Sequence, residues 1–183
     1  MIGYEKRFEE MILSHRGMMD DLRLIRQTEL PGAYVAAGYV RNYIWDRLHG
    51  YTERTPLNDI DVIYYDRSRL DEDYEKQVER QLCEATGCSL WSVKNQARMH
   101  VQNGDPPYSS VEHAISFWPE TVTAVAIRLE SDDRLAWLCP YGLSDLFELR
   151  VRRSPLFSDE AYYRARVEGK NWRALWPRLH IEL

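Results

Sequence analysis

Val35-Ala36-Ala37-Gly38-Tyr39-Val40-Arg41-Asn42-Tyr43-Ile44-Trp45-Asp46 decides the fold, because a short apolar run enters a glycine and leaves it as a helical pattern. A residue without a Cβ lets backbone approach a ligand and tolerates positive φ at a strand-to-helix turn, so Gly38 is the expected bend. Helix amides after it would face phosphate oxygens. Arg41, one turn on, is placed to add a charge-assisted bond. Downstream, Leu57-Asn58-Asp59-Ile60-Asp61-Val62-Ile63-Tyr64-Tyr65 sets two carboxylates at alternate positions of a strand. Alternation sends Asp59 and Asp61 to one face and Ile60 and Val62 to the other. Two like charges on one face either raise a pKa or hold a divalent cation, and Mg²⁺ favours one or two carboxylates completed by substrate phosphates. Asp59 and Asp61 are therefore the expected catalytic, metal-holding pair, for Mg²⁺ or Mn²⁺.

These residues resemble the polymerase-beta-like nucleotidyltransferase superfamily, whose members carry a Gly-Gly or Gly-Ser turn, a helix and then an Asp-x-Asp strand. The run Gly38 to Asn42 followed by Asn58-Asp59-Ile60-Asp61 looks most like the branch that processes tRNA 3' ends. Two positions depart from that branch: Ala37 stands for its first glycine and Asn42 for its aspartate, which weakens a specific reading as a CCA-adding enzyme. Over most of the chain, Trp91 to His100, Ala114 to Thr121 and Pro140 to Phe147 resemble small bacterial nucleotidyltransferase-like proteins of the NTP_transf_6 type. The resemblance implies an α+β polymerase-beta-like fold and a metal-dependent transfer, with no established substrate. It also favours Lys94, Asn95 and Arg98, with Gly38, Tyr39 and Arg41, as nucleotide-binding residues.

Composition bounds the alternatives. The chain has 183 residues, 44% of them apolar, enough for one ordinary core. We expect a single nucleotidyltransferase-like domain over 1–183, with an N-terminal helical extension (about 1–30) and a basic helical tail (about 150–183). Net charge is −5, yet residues 150–180 hold eight Lys or Arg against three acids, leaving about −10 elsewhere. No general nucleic-acid coat and no DNA partner are expected; the basic tail suits triphosphate or RNA equally well as solvent. Cysteines 83, 88 and 139 form neither a paired disulfide set nor a metal cluster, and His15, His49, His113 and His180 lack zinc-ligand spacing. No leader or membrane-spanning run is seen, so a cytoplasmic protein without a membrane partner is expected.

Along the chain, apolar periodicity predicts one or two helices over 4–28, broken at Gly17. The Gly38 helix should run to about Leu48, a helix should span Leu70 to Thr86, and a strand Ser89 to Val93 should follow. Asn95 to Val101 reads as a helical turn, and Asn103 to Pro107 as a loop. Thr121 to Leu129 reads as a central strand, paired with Leu135 to Cys139 in a hairpin. Helices are expected from Leu143 to Leu149 and from Asp159 to Glu168. Together they give α+β: helices against one face of a small sheet, with the phosphate site at its edge. Most of the six tryptophans, Trp45 and Trp137 among them, should fill core volume.

A third carboxylate, usual in polymerase-beta-like catalysis, is not plainly placed: Glu112, Glu120, Glu130 and Asp145 remain open. The leading expectation is transfer of a nucleoside monophosphate from a triphosphate, ATP among them, to an unidentified hydroxyl of a small molecule, protein or RNA, releasing pyrophosphate. The rivals are a catalytically inactive nucleotide-binding or protein-interaction module on the same fold, and a metal-dependent phosphohydrolase.

Overall fold

The computed structural model describes residues 3–183, so the first two residues of the expected N-terminal extension lie outside it. Two helices lead, α1 (Tyr4–Leu13) and α2 (Arg16–Gln27). The break falls at Ser14-His15, ahead of Gly17, which lies inside the first turn of α2. His15 explains the shift: its Nδ1 accepts from the Met18 amide at 3.0 Å, an N-cap that overrides the glycine as the interruption. Met18, Leu22 and Ile25 then line the buried face at helical spacing.

Strand β1 (Tyr34–Ala36) leads into α3 (Gly38–Leu48). Every residue of α3 from Tyr39 to Asp46 is buried, so this helix forms the centre of the molecule rather than a surface layer. Then come β2 (Ile60–Tyr64), α4 (Glu72–Thr86), β3 (Trp91–Asn95) and α5 (Gln96–Asn103). Asp71 caps α4 by accepting from the Tyr74 amide at 3.0 Å. Next are α6 (Val111–Ser116), β4 (Ala126–Leu129) and β5 (Leu135–Leu138). The remaining elements are α7 (Ser144–Phe147), β6 (Arg150–Val151), α8 (Glu160–Lys170), α9 (Trp172–Leu175) and β7 (His180–Ile181).

Five strands form one mixed sheet in the order β3-β2-β1-β4-β5, parallel only between β2 and β3. The short β6 and β7 pair separately, in parallel. Val35, Val62 and Ile127 face the main core, shared with α1 to α4 and with Tyr163, Val167, Trp172 and Trp176 of the basic tail. Ala36, Ile63 and Ala126 face a smaller cluster closed by Val111 and Ile115 of α6. Helices thus cover both faces, where the sequence led us to expect one. Among the described residues no helix is long and apolar enough to cross a membrane, and all three cysteines are free.

The expected long strand from Thr121 shrinks to Ala126–Leu129, with β1 at the centre of the sheet. Residues 121–125 form a buried turn instead, held by Thr123 and Ala124 amides donating to the Glu120 carbonyl. Its β-branched side chains pack as a strand's would, while the ladder is replaced by local and side-chain hydrogen bonds.

Candidate active site

The turn between β1 and α3 carries the first part of the site. Its left-handed residue is Ala37 (φ 55, ψ −126), not Gly38, which already belongs to the helix. That backbone region is nearly closed to side chains, so Ala37 holds strain of about 1–3 kcal/mol. The Ala37 amide is anchored on the Val125 carbonyl at 2.9 Å. No side chain caps α3, leaving its leading amides, at Gly38 and Tyr39, without a capping acceptor. A Cβ placed on Gly38 would sit 3.4 Å from Nη2 of Arg41, so the missing methyl keeps space open between turn and guanidinium.

Strand β2 carries the second part. Asp61 lies opposite Ala36 in the ladder, directly before the turn. Neither Asp59 nor Asp61 accepts a hydrogen bond or ion pair from any of the described side chains. Burial, and then the neighbouring Asp59 charge, push the Asp61 carboxyl up to about 6, with Arg41, Lys170 and Arg166 acting in the opposite sense. Both aspartates and Gly38 line one cavity of about 440 Å³, together with Arg41, Lys170 and Trp172. The site lies at the end of the two inner strands β1 and β2, not along a lateral edge of the sheet.

Arg41 is 6% exposed and held from several sides. Its Nε and Nη2 donate to Asn42 Oδ1 at 3.1 and 2.9 Å, and Nη1 donates to Thr123 Oγ1 at 2.7 Å. Its guanidinium lies 4.5 Å from the Trp172 ring and 5.1 Å from that of Trp45. Burial brings its pKa down to about 10, still fully cationic at neutral pH, with Glu120 supporting the charge. Asn42, neutral where the resembling branch carries aspartate, thus serves as a hydrogen-bond acceptor for Arg41.

Other expected nucleotide ligands lie elsewhere. The Tyr39 hydroxyl donates to Asp21 at 2.5 Å and its ring supports Arg54, so only its backbone amide faces the site. Asn95 is fully buried: its amide donates to the Asp66 and Arg69 carbonyls, and its oxygen accepts from the Asp66 and Ala97 amides. Arg98 forks onto Glu75 at 2.8 and 2.5 Å and reaches Glu72 at 2.9 Å. These two residues fasten β3 and α5 to α4, and neither lines the cavities beside Asp61. Lys94 is near Glu75 and Glu79, at 4.0 and 3.9 Å, but also lines a second cavity that reaches Asp61.

Of the four open acids, Glu112 is exposed on α6 and Glu130 pairs with Arg128. Asp145 is buried between Thr121 and Arg152. Glu120 alone connects to the site: fully buried, it accepts from Thr123 Oγ1 and from Arg166 Nε, each at 2.7 Å. Both Glu120 oxygens are engaged by protein donors, and among the described residues no group of three His, Cys, Asp or Glu is disposed to hold a metal. Glu120 is one of the four open acids, whereas Thr123, Arg166 and Lys170 escaped the sequence reading as residues of the cavity that holds both aspartates. The basic tail was their one signal, since α8 supplies both cations.

Three comparisons bear on this geometry. A family profile described as "Nucleotidyltransferase", NTP_transf_6, matches residues 23–181. A structure described as the NMR structure of a protein that reveals a CCA-adding enzyme head domain superposes with a TM-score of 0.84. The two chains are 32% identical, over 96% of this chain and 94% of that one. The Thermotoga maritima CCA-adding enzyme complexed with tRNA gives a TM-score of 0.56 at 18% identity, over 96% of this chain and 42% of that one. A CCA-adding enzyme in complex with CTP gives 0.56 at 17%, over 94% and 41%. These last two share the fold, and the present chain spans about two fifths of their length. A search of curated proteins finds no significant match. Turn, Asp-x-Asp strand, sheet order and family match converge: the chain belongs to the NTP_transf_6 nucleotidyltransferase family and has the α+β, polymerase-beta-like fold of a CCA-adding enzyme head domain.

Proposed function

We propose that the chain transfers a nucleoside monophosphate from a triphosphate to a hydroxyl acceptor, releasing pyrophosphate, and that it requires Mg²⁺ or Mn²⁺. One observation carries this reading: two carboxylates without protein partners share a cavity with an uncapped helix N-terminus. The donor set fits a divalent ion. Two hard oxygen ligands, Asp59 just ahead of β2 and Asp61 within it, form no ion pair with the described residues, and burial together with the Asp59 charge raises the Asp61 carboxyl. When bound, the ion supplies charge neutralisation at the reacting phosphate and leaving group.

The chain's own groups do the rest. The leading amides of α3 cradle the β- and γ-phosphates, and the space kept open at Gly38 admits them. Arg41, pre-positioned by Asn42 and Thr123, presents a fixed positive charge that needs no reorganisation as negative charge develops. Lys170, which pairs with no carboxylate among the described residues, and Arg166 form the cationic wall contributed by α8. As the acceptor oxygen bonds to the α-phosphorus, the bond to the β-phosphate oxygen breaks and the hydroxyl proton passes to solvent.

The test is product analysis by mass spectrometry with triphosphate, Mg²⁺ and a cell extract: a nucleotidylated product lost in Asp61→Asn supports transfer. A second reading, an inactive nucleotide-binding module on this fold, draws on the missing third acid. It predicts Mg²⁺-dependent thermal stabilisation by triphosphate with no product in any fraction.

A further inference from the structure

A second cavity, of about 570 Å³, lies on the other side of Asp61. It meets the first at Ala37, Asp61, Thr123 and Arg166, so both open onto the same carboxylate. Asp61 and Ile63 of β2 contribute to its lining, with Gln96 and Met99 of α5, the 117–119 segment after α6 and the 156–162 approach to α8.

The two cavities differ in charge. The first holds Arg41 and Lys170, which pairs with no carboxylate among the described residues. In the second, Lys94 stands near two glutamates and Arg166 is bound to Glu120, while Asp105 and Asp159 add negative charge. A polyphosphate therefore belongs in the first and is disfavoured in the second, as is a phosphodiester chain. The second cavity is also rich in rings: Phe117, Trp118, Phe157 and Tyr162 line it, with Leu156 and Tyr162 each about half exposed at 51%. Aromatic walls favour a ligand with a flat or apolar face.

One polar group points to a missing ligand. Gln96 is 3% exposed and lines the cavity, yet its amide nitrogen makes only a 3.4 Å contact with the Lys94 carbonyl. Its amide oxygen accepts no hydrogen bond from the described residues. A buried amide half-satisfied at a cavity wall is the kind of group that fixes a ligand's orientation. The cavity volume matches a compact metabolite, within the range of small-molecule sites.

We infer that the acceptor is a hydroxyl-bearing small molecule with a ring or apolar face, uncharged or cationic, bound between Gln96 and Trp118 with its hydroxyl directed at Asp61. The inference rests on the transfer reading and names its second substrate. Its hydroxyl oxygen forms the new bond to the α-phosphorus while pyrophosphate departs from the first cavity.

The experiment incubates the full chain and Mg²⁺ with triphosphate labelled at the α-phosphorus, adding either the small-molecule ultrafiltrate of a cell extract, its RNA or its protein. Gln96→Ala and Trp118→Leu are compared with wild type, and thermal stabilisation by Mg²⁺-triphosphate is measured on all three. We expect label in a small product from the ultrafiltrate, falling roughly tenfold or more in each variant while triphosphate stabilisation stays at the wild-type level. Tyr162→Ala, at the exposed rim, provides the same test should Trp118→Leu fail to fold. Label in RNA or protein, label in no fraction, or a small product indifferent to these substitutions overturns the inference. Absence of Mg²⁺-dependent stabilisation in the wild type instead fells the transfer reading itself, and this inference with it.

Discussion

Two acidic sites on either side of β2 show opposite solutions to the same problem. Glu75, fully buried on α4, is surrounded by donors: the Arg98 fork, the Asn95 amide at 2.9 Å and the nearby Lys94 ammonium. Asp59 and Asp61, at the start of β2, have none of these. A buried charge with a full set of partners contributes to holding elements together, whereas Asp61, half-buried without partners beside an exposed Asp59, carries an electrostatic cost that a proton or a bound cation removes. The polar residues that the sequence clusters most densely, Lys94 to Arg98, therefore mostly serve architecture. The two lone aspartates are the ones to which our proposal assigns the chemistry.

Several measurements would break or sharpen that contrast. The largest effect is expected for Asp61→Asn, which should lower Mg²⁺-dependent transfer by about 10³-fold. Turnover by this variant near the wild-type rate would place Asp61 on the architectural side. Arg98→Ala should do the reverse, costing about 3 kcal/mol in urea unfolding because Glu75 keeps a buried charge without its fork. Unchanged triphosphate affinity in the residual folded protein checks that Arg98 does not touch nucleotide.

A subtler outcome concerns pH. Since folding raises the Asp61 pKa from 3.8 to about 6, the native state binds the extra proton between those values, and stability from this residue falls as pH rises through that window. With chelator present, Asp61→Asn should thus be more stable than wild type by about 1–2 kcal/mol above pH 6, and the gain should vanish below pH 4. Saturating Mg²⁺ with triphosphate should reverse the order, readable as a crossing of melting temperatures. The smallest effect is at the turn, where Ala37→Gly should relieve left-handed strain and stabilise by about 1 kcal/mol, net of the added freedom of the unfolded chain.

Much of the frame was legible because it is local. The Asp-x-Asp segment, the α3 pattern from Gly38 to Leu48 and the β4–β5 pairing each follow from residues a few positions apart; α3 keeps its expected bounds, whereas β2 starts after Asp59 and β4 starts only at Ala126. The rest depends on distant partners. Nothing near Thr121 announces a turn, since its cause is Glu120 meeting Arg166 from α8. Likewise the strained residue sits at Ala37 instead of the glycine beside it, where Val125, in the turn ahead of β4, fixes the Ala37 amide. Asn95 and Arg98 look like ligands in sequence; α4, some twenty residues earlier, claims them.

The tail gives one more lesson. β6 precedes α8 and β7 follows it, and the two strands pair with each other, while the Tyr163 hydroxyl donates to the Glu182 carbonyl at 2.5 Å. Trp176 adds a bond from its indole to Asp46 of α3 at 2.8 Å. The segment bearing Arg166 and Lys170 is consequently stitched shut at its base, like a loop of rope tied to a post. In the transfer we propose, its cationic side is therefore a fixed jamb and not a swinging door.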